Sequence, residues 1–195
     1  EYTERAEIKD VLCFLRVICN PLDEQALLRI INVPRRGISD QALDKLTQWS
    51  RAKAIPLWHR LAHIENQAET LSNKALDGIK SFVLAINEVR NALKELPASI
   101  AAKNFLEKIN YKKAIFDEVK SDRMRQFKSE NVERLLSALA AFASDETSVQ
   151  EEKTLIDFLR RYQLNEVRNE GVNNQDRVQL MTLHSAKGLE FTACF

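Results

Sequence analysis

The chain has 195 residues, of which 45% are hydrophobic and 29% are charged, and its formal net charge is +1. This apolar content is enough to bury a core, so we expect a globular chain and not a disordered one. Four glycines and four prolines leave few breaks, which favours long helices over a strand-and-turn architecture. The balanced charge argues against a strongly basic nucleic-acid binder, although it leaves room for a local basic patch.

The cysteines and the chain ends bear on the cellular setting. Cys13, Cys19 and Cys194 lack the spacing of metal ligands and have apolar neighbours, so we expect buried, reduced thiols in a cytoplasmic protein. No apolar run is long enough to cross a bilayer, and we expect no membrane partner. The chain opens on Glu1 and closes on Phe195 inside a predicted strand, so we expect it to be a piece of a longer protein.

The first predicted helix runs from about Glu4 to Val17 and ends at Asn20, because a residue before proline avoids the helical region. Its expected apolar face consists of Ile8, Leu12, Leu15 and Cys19. Taken by itself, the opening stretch Tyr2–Asp10 is typical of an exposed helix start whose acidic residues favour the helix dipole.

A second helix, capped by Asp23, is predicted to precede the turn N-V-P-R-R-G-I-S at residues 32–39, and a third helix runs from about residue 40 to 53. The glycine permits a tight turn, the N–H groups at the next helix start can receive a phosphate, and the arginines add charge without reading bases. This helix-hairpin-helix-like element predicts contact with the backbone of duplex DNA. The expected contact residues are Arg35, Arg36, Gly37, Ile38 and Ser39. The alternative is a structural helix pair with exposed arginines.

Six further helices are predicted, over about 56–64, 73–93, 97–109, 111–119, 130–143 and 149–164, with a polar, basic connection over 121–129. His59 and His63 stand one turn apart without a third ligand nearby, so ordinary histidines are expected there and not a metal site. Leu71–Ala75 is expected to be a plain helix cap, with a second contact to DNA as the weaker alternative. The expected core residues are Leu76, Phe82, Ile86, Leu135, Leu139, Phe142, Leu155 and Phe158.

The last part of the chain changes character abruptly. A polar stretch over 165–177 leads into Val178–Leu183, whose apolar and β-branched residues predict a short buried strand. Directly after it the chain carries a histidine, a serine, a lysine, a glycine and a glutamate. A strand that breaks into such a polar turn is typical of a functional site at a sheet edge, and a core strand followed by a plain turn does not account for the polar half.

Three of these stretches resemble the UvrD/Rep/PcrA family of superfamily 1 DNA helicases. Residues 180–191, L-M-T-L-H-S-A-K-G-L-E-F, are similar to motif V of that family. Residues 2–10 resemble its F-x-x-R-x-E-I-K-D helix on the side of motif IV, and residues 32–39 resemble its N-x-P-x-R-G-I-G run, with Ser39 in place of the last glycine. The resemblance extends in order along the whole chain.

The resemblance implies a mainly α fold, namely a helical 2B-type insertion domain with a short terminal strand that belongs to an incomplete α/β motor domain. Residues 1–19 would be an edge of motor subdomain 2A, residues 20–176 the helical 2B subdomain, and residues 177–195 the motif V strand and loop of 2A. It further implies that Thr182 and His184 face single-stranded DNA, and that Lys187, Gly188 and Glu190 bind the nucleotide.

For the longer protein, the resemblance implies a 3′ to 5′ DNA helicase that uses ATP and Mg²⁺. The chain itself has no G-x-x-x-x-G-K-[ST] loop to bind the phosphates of ATP and no Walker B carboxylate pair to bind magnesium. We therefore expect it to bind neither cofactor and to hydrolyse no ATP alone. The expected partners are duplex DNA at 2B and single-stranded DNA at motif V, with repair or replication proteins as further candidates, in the bacterial cytoplasm near the nucleoid. The chain is expected to be a monomer. The alternative function is a protein-interaction or autoinhibitory helical module whose DNA contacts are incidental.

Overall fold

The computed structural model describes residue 2 and residues 4–64, 71–144 and 154–162. These residues are mainly helical, as the composition predicts. The predicted strand at 178–183 lies outside the described residues. The helices are α1 (Ala6–Cys19), α2 (Glu24–Ile30), α3 (Asp40–Lys53), α4 (Leu57–Ala62), α5 (Asn73–Ala92), α6 (Ala98–Lys108), α7 (Tyr111–Glu118) and α8 (Asp122–Ser144), and residues 155–162 are also helical.

Side-chain caps set the starts of three helices at the residues that the sequence indicates. The Asp23 carboxylate accepts from the N–H of Ala26, and the hydroxyls of Ser39 and Ser72 accept from the N–H groups three residues further on. These bonds satisfy N–H groups that the first helical turn leaves without a partner. The predicted helices over 56–64, 73–93, 97–109 and 111–119 are confirmed within a few residues at each end.

Helix α1 lies at the centre of the fold and packs against α2, α5 and α8. Its buried residues are Glu7, Ile8, Val11, Cys13, Phe14, Leu15, Val17 and Ile18. They point to more than one side of the helix, whereas Leu12 and Cys19 of the predicted face are only half-buried. Since α1 shares one hydrophobic core with α2, α5 and α8, the predicted domain boundary at residue 19 corresponds to no break in the packing. The division into 1–19, 20–176 and 177–195 stays a prediction.

Aromatic side chains fill the space between α1, α6 and α7. The ring of Phe14 makes edge-to-face contacts with Phe105 and Tyr111, with centroid distances of 5.3 and 5.8 Å. Such pairs add to the stabilisation that burial alone provides. Of the predicted core residues, all but Phe142 are buried, and Phe142 is half-buried against Phe158 at a centroid distance of 5.6 Å.

A polar cluster joins the start of α1 to the middle of α8 and corrects the interpretation of residues 2–10 as an exposed helix start. Glu7 is 4% exposed and Asn131 is fully buried. The amide of Asn131 donates to the Glu7 carboxylate at 2.7 Å, and the Arg5 guanidinium donates to the Asn131 side-chain oxygen at 2.7 Å. The Tyr2 hydroxyl donates to the backbone carbonyl of Asn131 at 2.5 Å. A buried carboxylate requires such partners, so the cluster fixes α1 against α8.

The predicted polar connection over 121–129 is wrong, because residues 122–129 form the first two turns of α8. The Nε of Arg125 donates to the carbonyls of Phe116 and Val119 at the end of α7, and its Nη1 contacts the Asp122 carboxylate at 2.8 Å. These bonds stabilise a helix start that has no apolar periodicity to reveal it. The predicted helix over 130–143 is confirmed as the remainder of α8.

Both cysteines in the described part of the chain are reduced. Burial raises the pKa of the Cys13 thiol, and it raises the pKa of Cys19 to about 11. Both thiols therefore stay protonated near neutral pH and are poor nucleophiles. Among the described residues, no helix combines the length and the apolar character needed to cross a membrane.

Candidate nucleic-acid interface

The turn between α2 and α3, residues 32–39, is closed by the side chain of Asn32. Its amide donates to the carbonyl of Ile38 at 2.8 Å, and its side-chain oxygen accepts from the N–H of Arg36 at 2.8 Å. Gly37 has φ +77, which favours glycine, and Ile38 is buried with an exposure of 4%. The turn is thus fixed from within and anchored in the core. Sequence reasoning passed over Asn32, although an asparagine that bonds to the backbone is a known turn signal.

Arg36 supports this turn from the inside. Its Nη1 donates to the carbonyls of Ile30, Ile31 and Val33, at 3.2, 2.9 and 2.6 Å. The guanidinium carbon lies 4.8 Å from the centroid of the Phe82 ring. Burial lowers the pKa of Arg36 to about 10, which leaves it charged at neutral pH. Because the guanidinium satisfies carbonyls at the end of α2, its role in this geometry is structural.

Arg35, Gly37 and Ser39 form the exposed side of the turn. The Ser39 hydroxyl accepts from the N–H of Ala42 at 3.2 Å. The N–H groups of Asp40 and Gln41 in the first turn of α3 have no carbonyl to bond within the helix, so they are the groups to which a phosphate could bind. The Asp40 carboxylate stands at the same helix start and opposes an anion there.

The start of α5 lies against the same turn. A Cβ added to Gly37 would lie 2.6 Å from Cγ of Lys74, so the aliphatic stem of this lysine covers the glycine. A Cβ on Gly78 would overlap the carbonyl oxygen of Arg36, so a glycine is needed there for α5 to approach the turn. Lys74 is exposed and brings a second cation to the side of Arg35.

Sequence reasoning included Lys74 only in its weaker alternative, a second contact with DNA at residues 71–75. The signal was present, because S-D-Q-A at 39–42 and S-N-K-A at 72–75 have the same cap spacing. The expected plain cap at Ser72 is confirmed by its bond to the Ala75 N–H at 3.2 Å. The weaker alternative, a second DNA contact at residues 71–75, stays a prediction. We call Arg35, Gly37, Ser39 and Lys74 the α3–α5 surface.

The other candidate residues are separate from this surface. Thr182, His184, Lys187, Gly188 and Glu190 lie outside the described residues. His59 and His63 are both exposed, and Nδ1 of His63 lies 2.9 Å from the carbonyl of His59. Within the described ranges no group of three or more metal-ligating side chains comes together.

In chemical terms, the α3–α5 surface offers two flexible cations beside the N–H groups at the start of α3. These groups bind phosphate and have no means to distinguish one base from another. The surface is small and its charge is moderate, since Asp40 offsets part of the charge of Arg35 and Lys74.

Comparison with known proteins agrees with the sequence motifs. The profile of the UvrD-like helicase C-terminal domain matches residues 1–195. The chain is 33% identical over 194 residues to DNA helicase II of Escherichia coli K12, covering 100% of this chain and 26% of that protein. It is 29% identical over 192 residues to ATP-dependent DNA helicase Rep of the same organism, covering 97% of this chain and 28% of that protein.

A relative from Bacillus subtilis gives the same result. ATP-dependent DNA helicase PcrA of Bacillus subtilis is 29% identical over 201 residues, which cover 100% of this chain and 26% of PcrA. The chain thus spans about a quarter of the length of the relatives that it matches. With a match over its whole length, the chain belongs to the UvrD-like helicase C-terminal domain family, within the UvrD/Rep/PcrA helicases.

Proposed function

We propose that this chain is part of an ATP-dependent DNA helicase and that its α3–α5 surface contacts the phosphate backbone of duplex DNA. The proposal rests on the contrast between the side chains that hold the turn at 32–39 and those that it exposes. Arg36 and Asn32 hold the turn from within, while Arg35 is exposed beside Lys74 and the start of α3. A rigid turn that presents cations costs little entropy when it meets a phosphate.

The proposed contact is weak and independent of sequence. Two cations and a helix start engage few phosphates, so the dissociation constant should be on the order of 10⁻⁴–10⁻⁶ M near physiological salt. Duplex should bind better than a single strand, because no aromatic side chain of the α3–α5 surface offers a platform for base stacking. Such a contact orients a duplex during unwinding and does not select a particular base sequence.

For the longer protein, we propose the arrangement that the family resemblance implies. Residues 1–19 and 177–195 belong to motor subdomain 2A, and residues 20–176 form the 2B insertion that regulates unwinding. Thr182 and His184 contact the single strand, while Lys187, Gly188 and Glu190 contact ATP, which acts with Mg²⁺ in the 3′ to 5′ motor. Hydroxyl and imidazole donors suit a DNA phosphate, and a lysine suits the nucleotide phosphates. Repair or replication proteins of the bacterial cytoplasm are the proposed protein partners.

The test is a fluorescence anisotropy titration of a labelled duplex with the wild-type chain and with Arg35→Ala. We expect Arg35→Ala to bind several-fold more weakly to every duplex sequence, because one phosphate contact is lost. The matched control is Arg123→Ala, since Arg123 is also exposed but stands on α8, which packs on α1, α6 and α7. Equal affinity of wild type and Arg35→Ala would contradict the proposal.

Ser39→Gly tests the start of α3 and is expected to strengthen duplex binding, whereas Arg35→Ala is expected to weaken it. The Ser39 hydroxyl occupies the N–H of Ala42, and glycine would release that N–H at a cost of only a few tenths of a kcal/mol in stability. We therefore expect Ser39→Gly to bind the same duplex slightly more tightly in the anisotropy titration. Weaker binding with an unchanged melting temperature would mean that the serine itself contacts DNA.

A second candidate function is a protein-interaction or autoinhibitory module with incidental DNA contacts. The observation that favours it is the net charge of +1, since most nucleic-acid domains are clearly basic. The same titration separates the two functions. A module without a DNA role should bind duplex no differently after Arg35→Ala than after Arg123→Ala.

A further inference from the structure

A second concave site lies on α6, α7 and α8, apart from the α3–α5 surface. It is a cavity of about 450 Å³ that is open to solvent, within the range of small-ligand pockets. The apolar part of its wall consists of Leu106, Tyr111, Ile115, Val132 and Leu136. The ring of Tyr111 belongs to the core, and its hydroxyl faces away toward Glu7 and Asp10. The wall is therefore suited to an apolar group.

The first turn of α7 forms one side of this cavity. Asn110, Tyr111, Lys112 and Lys113 all line it. Asn110 precedes the helix with φ +54 and makes no side-chain cap, so the N–H groups of the first turn lack the usual oxygen partner. No acidic residue stands in this first turn, and two lysines do, which is the unfavourable sign for a helix dipole. An anion bound at this helix start would relieve both defects.

A buried hydroxyl on α8 provides an independent indication. Ser129 lines the same cavity, is 7% exposed and has no hydrogen-bond partner for its Oγ. Buried hydroxyls are nearly always bonded, so an unbonded one in a cavity wall indicates a missing partner, such as a polar atom of a ligand.

Charged side chains of both signs line the opening of the cavity. Lys103, Lys112 and Lys113 face Glu107 and Glu133 around the opening. Lys113 is paired with Asp117 at 2.6 Å. Among the described residues, no carboxylate comes within ion-pair distance of Lys103 or Lys112, and Lys112 lies 5.9 Å from the centroid of the Phe116 ring. Lys103 and Lys112 are therefore the cations available to a ligand.

We infer that the α6–α7–α8 cavity is a binding site for a ligand with an apolar body and a carboxylate or phosphate head. The apolar body packs on Leu106, Ile115 and Val132. The head lies at the start of α7 between Lys103 and Lys112, and the Ser129 hydroxyl bonds to a polar atom of the ligand. The inference does not rest on the DNA contact, since it uses none of the α3–α5 surface.

The test is a two-dimensional NMR titration of the isotope-labelled chain with three probes that share a phenyl group. Phenyl phosphate and 3-phenylpropionate carry the two candidate heads, and 2-phenylethanol is the neutral match. We expect amide shifts confined to the cavity for both anions and weaker binding of the alcohol. The anion that binds with the lower dissociation constant shows whether the cavity prefers a phosphate or a carboxylate head.

Variants make the test specific. Lys103→Gln and Lys112→Gln should each weaken the anions roughly threefold, as exposed ion pairs do, and leave the alcohol unchanged. Lys53→Gln, an exposed lysine on α3, is the matched control and should change nothing. Ser129→Ala should weaken the anions while leaving the melting temperature unchanged or higher, because it removes an unbonded buried hydroxyl. Shifts spread over the whole surface, equal binding of all three probes, or anion binding that survives the loss of both lysines would overturn the inference.

Discussion

At the scale of residues, Arg35 and Arg36 are neighbours with different roles. Arg36 donates to the carbonyls of Ile30, Ile31 and Val33, whereas Arg35 is exposed. Arg36→Ala would leave those carbonyls, two of which belong to fully buried residues, without a charged donor, so we expect the free energy of unfolding to fall by about 3 kcal/mol. Arg35→Ala should change it by less than about 0.5 kcal/mol. Urea denaturation followed by circular dichroism measures both, and equal losses would show that Arg36 has no structural role.

The second prediction at this scale concerns Asp10 and pH. Burial raises the pKa of its carboxyl above 3.8, although Arg29 at 2.7 Å and the Tyr111 hydroxyl at 3.2 Å favour the charged form. The negative charge of Glu118 raises this pKa further. Glu7 and Lys128 line the same small cavity as Asp10. The folded chain therefore keeps this proton to a higher pH than the unfolded chain does. The stabilisation that this proton provides is complete below the pKa of Asp10 in the unfolded chain. It is lost as the pH rises through the pKa of Asp10 in the folded chain.

Replacing Asp10 by Asn removes this titration. We expect the decrease in stability with rising pH, from about pH 4 upward, to be smaller in Asp10→Asn than in the wild type. The measurement is the urea midpoint as a function of pH. Asp117→Asn, an exposed carboxylate paired with Lys113 on α7, is the control and should keep the wild-type decrease. The same decrease in Asp10→Asn would show that another group dominates this pH range.

At the scale of elements, α8 shows where sequence patterns reach their limit. Its second half has core residues at helical spacing and is evident from the sequence, whereas residues 122–129 carry mostly polar side chains. They are helical because Arg125 bonds to the carbonyls of Phe116 and Val119. We expect Arg125→Ala to increase amide exchange in residues 122–129 by at least about tenfold, because two hydrogen bonds from a charged group to backbone carbonyls are lost. Arg123→Ala should leave exchange unchanged, and equal protection in both variants would mean that the helix needs no such support.

The caps and the long amphipathic helix α5 could be predicted, because each depends on residues close together in sequence. Ser39, Ser72 and Asp23 are local signals, and the apolar face of α5 repeats regularly. The bond between Glu7 and Asn131 joins residues 124 apart in sequence, so no local pattern predicts it. For Lys74, the local sequence indicates the cap at Ser72, but the contact with Gly37 depends on how α5 packs on the turn.

At the scale of the whole molecule, α1 connects the parts. It packs against α2, α5 and α8, and α2 leads directly into the turn that carries Arg35. In the longer protein, residues 1–19 are proposed to continue into the motor subdomain. The contact of the α3–α5 surface with duplex DNA is the central claim of this account.

The most direct test of this claim is the salt dependence of duplex binding. We expect the logarithm of the association constant to fall linearly with the logarithm of salt concentration, by about 0.9 for each phosphate contacted. Arg35→Ala should reduce the steepness of this line by about one contact, and Arg123→Ala should leave it unchanged. Parallel lines for the wild type and Arg35→Ala would contradict the claim that this turn contacts the duplex backbone.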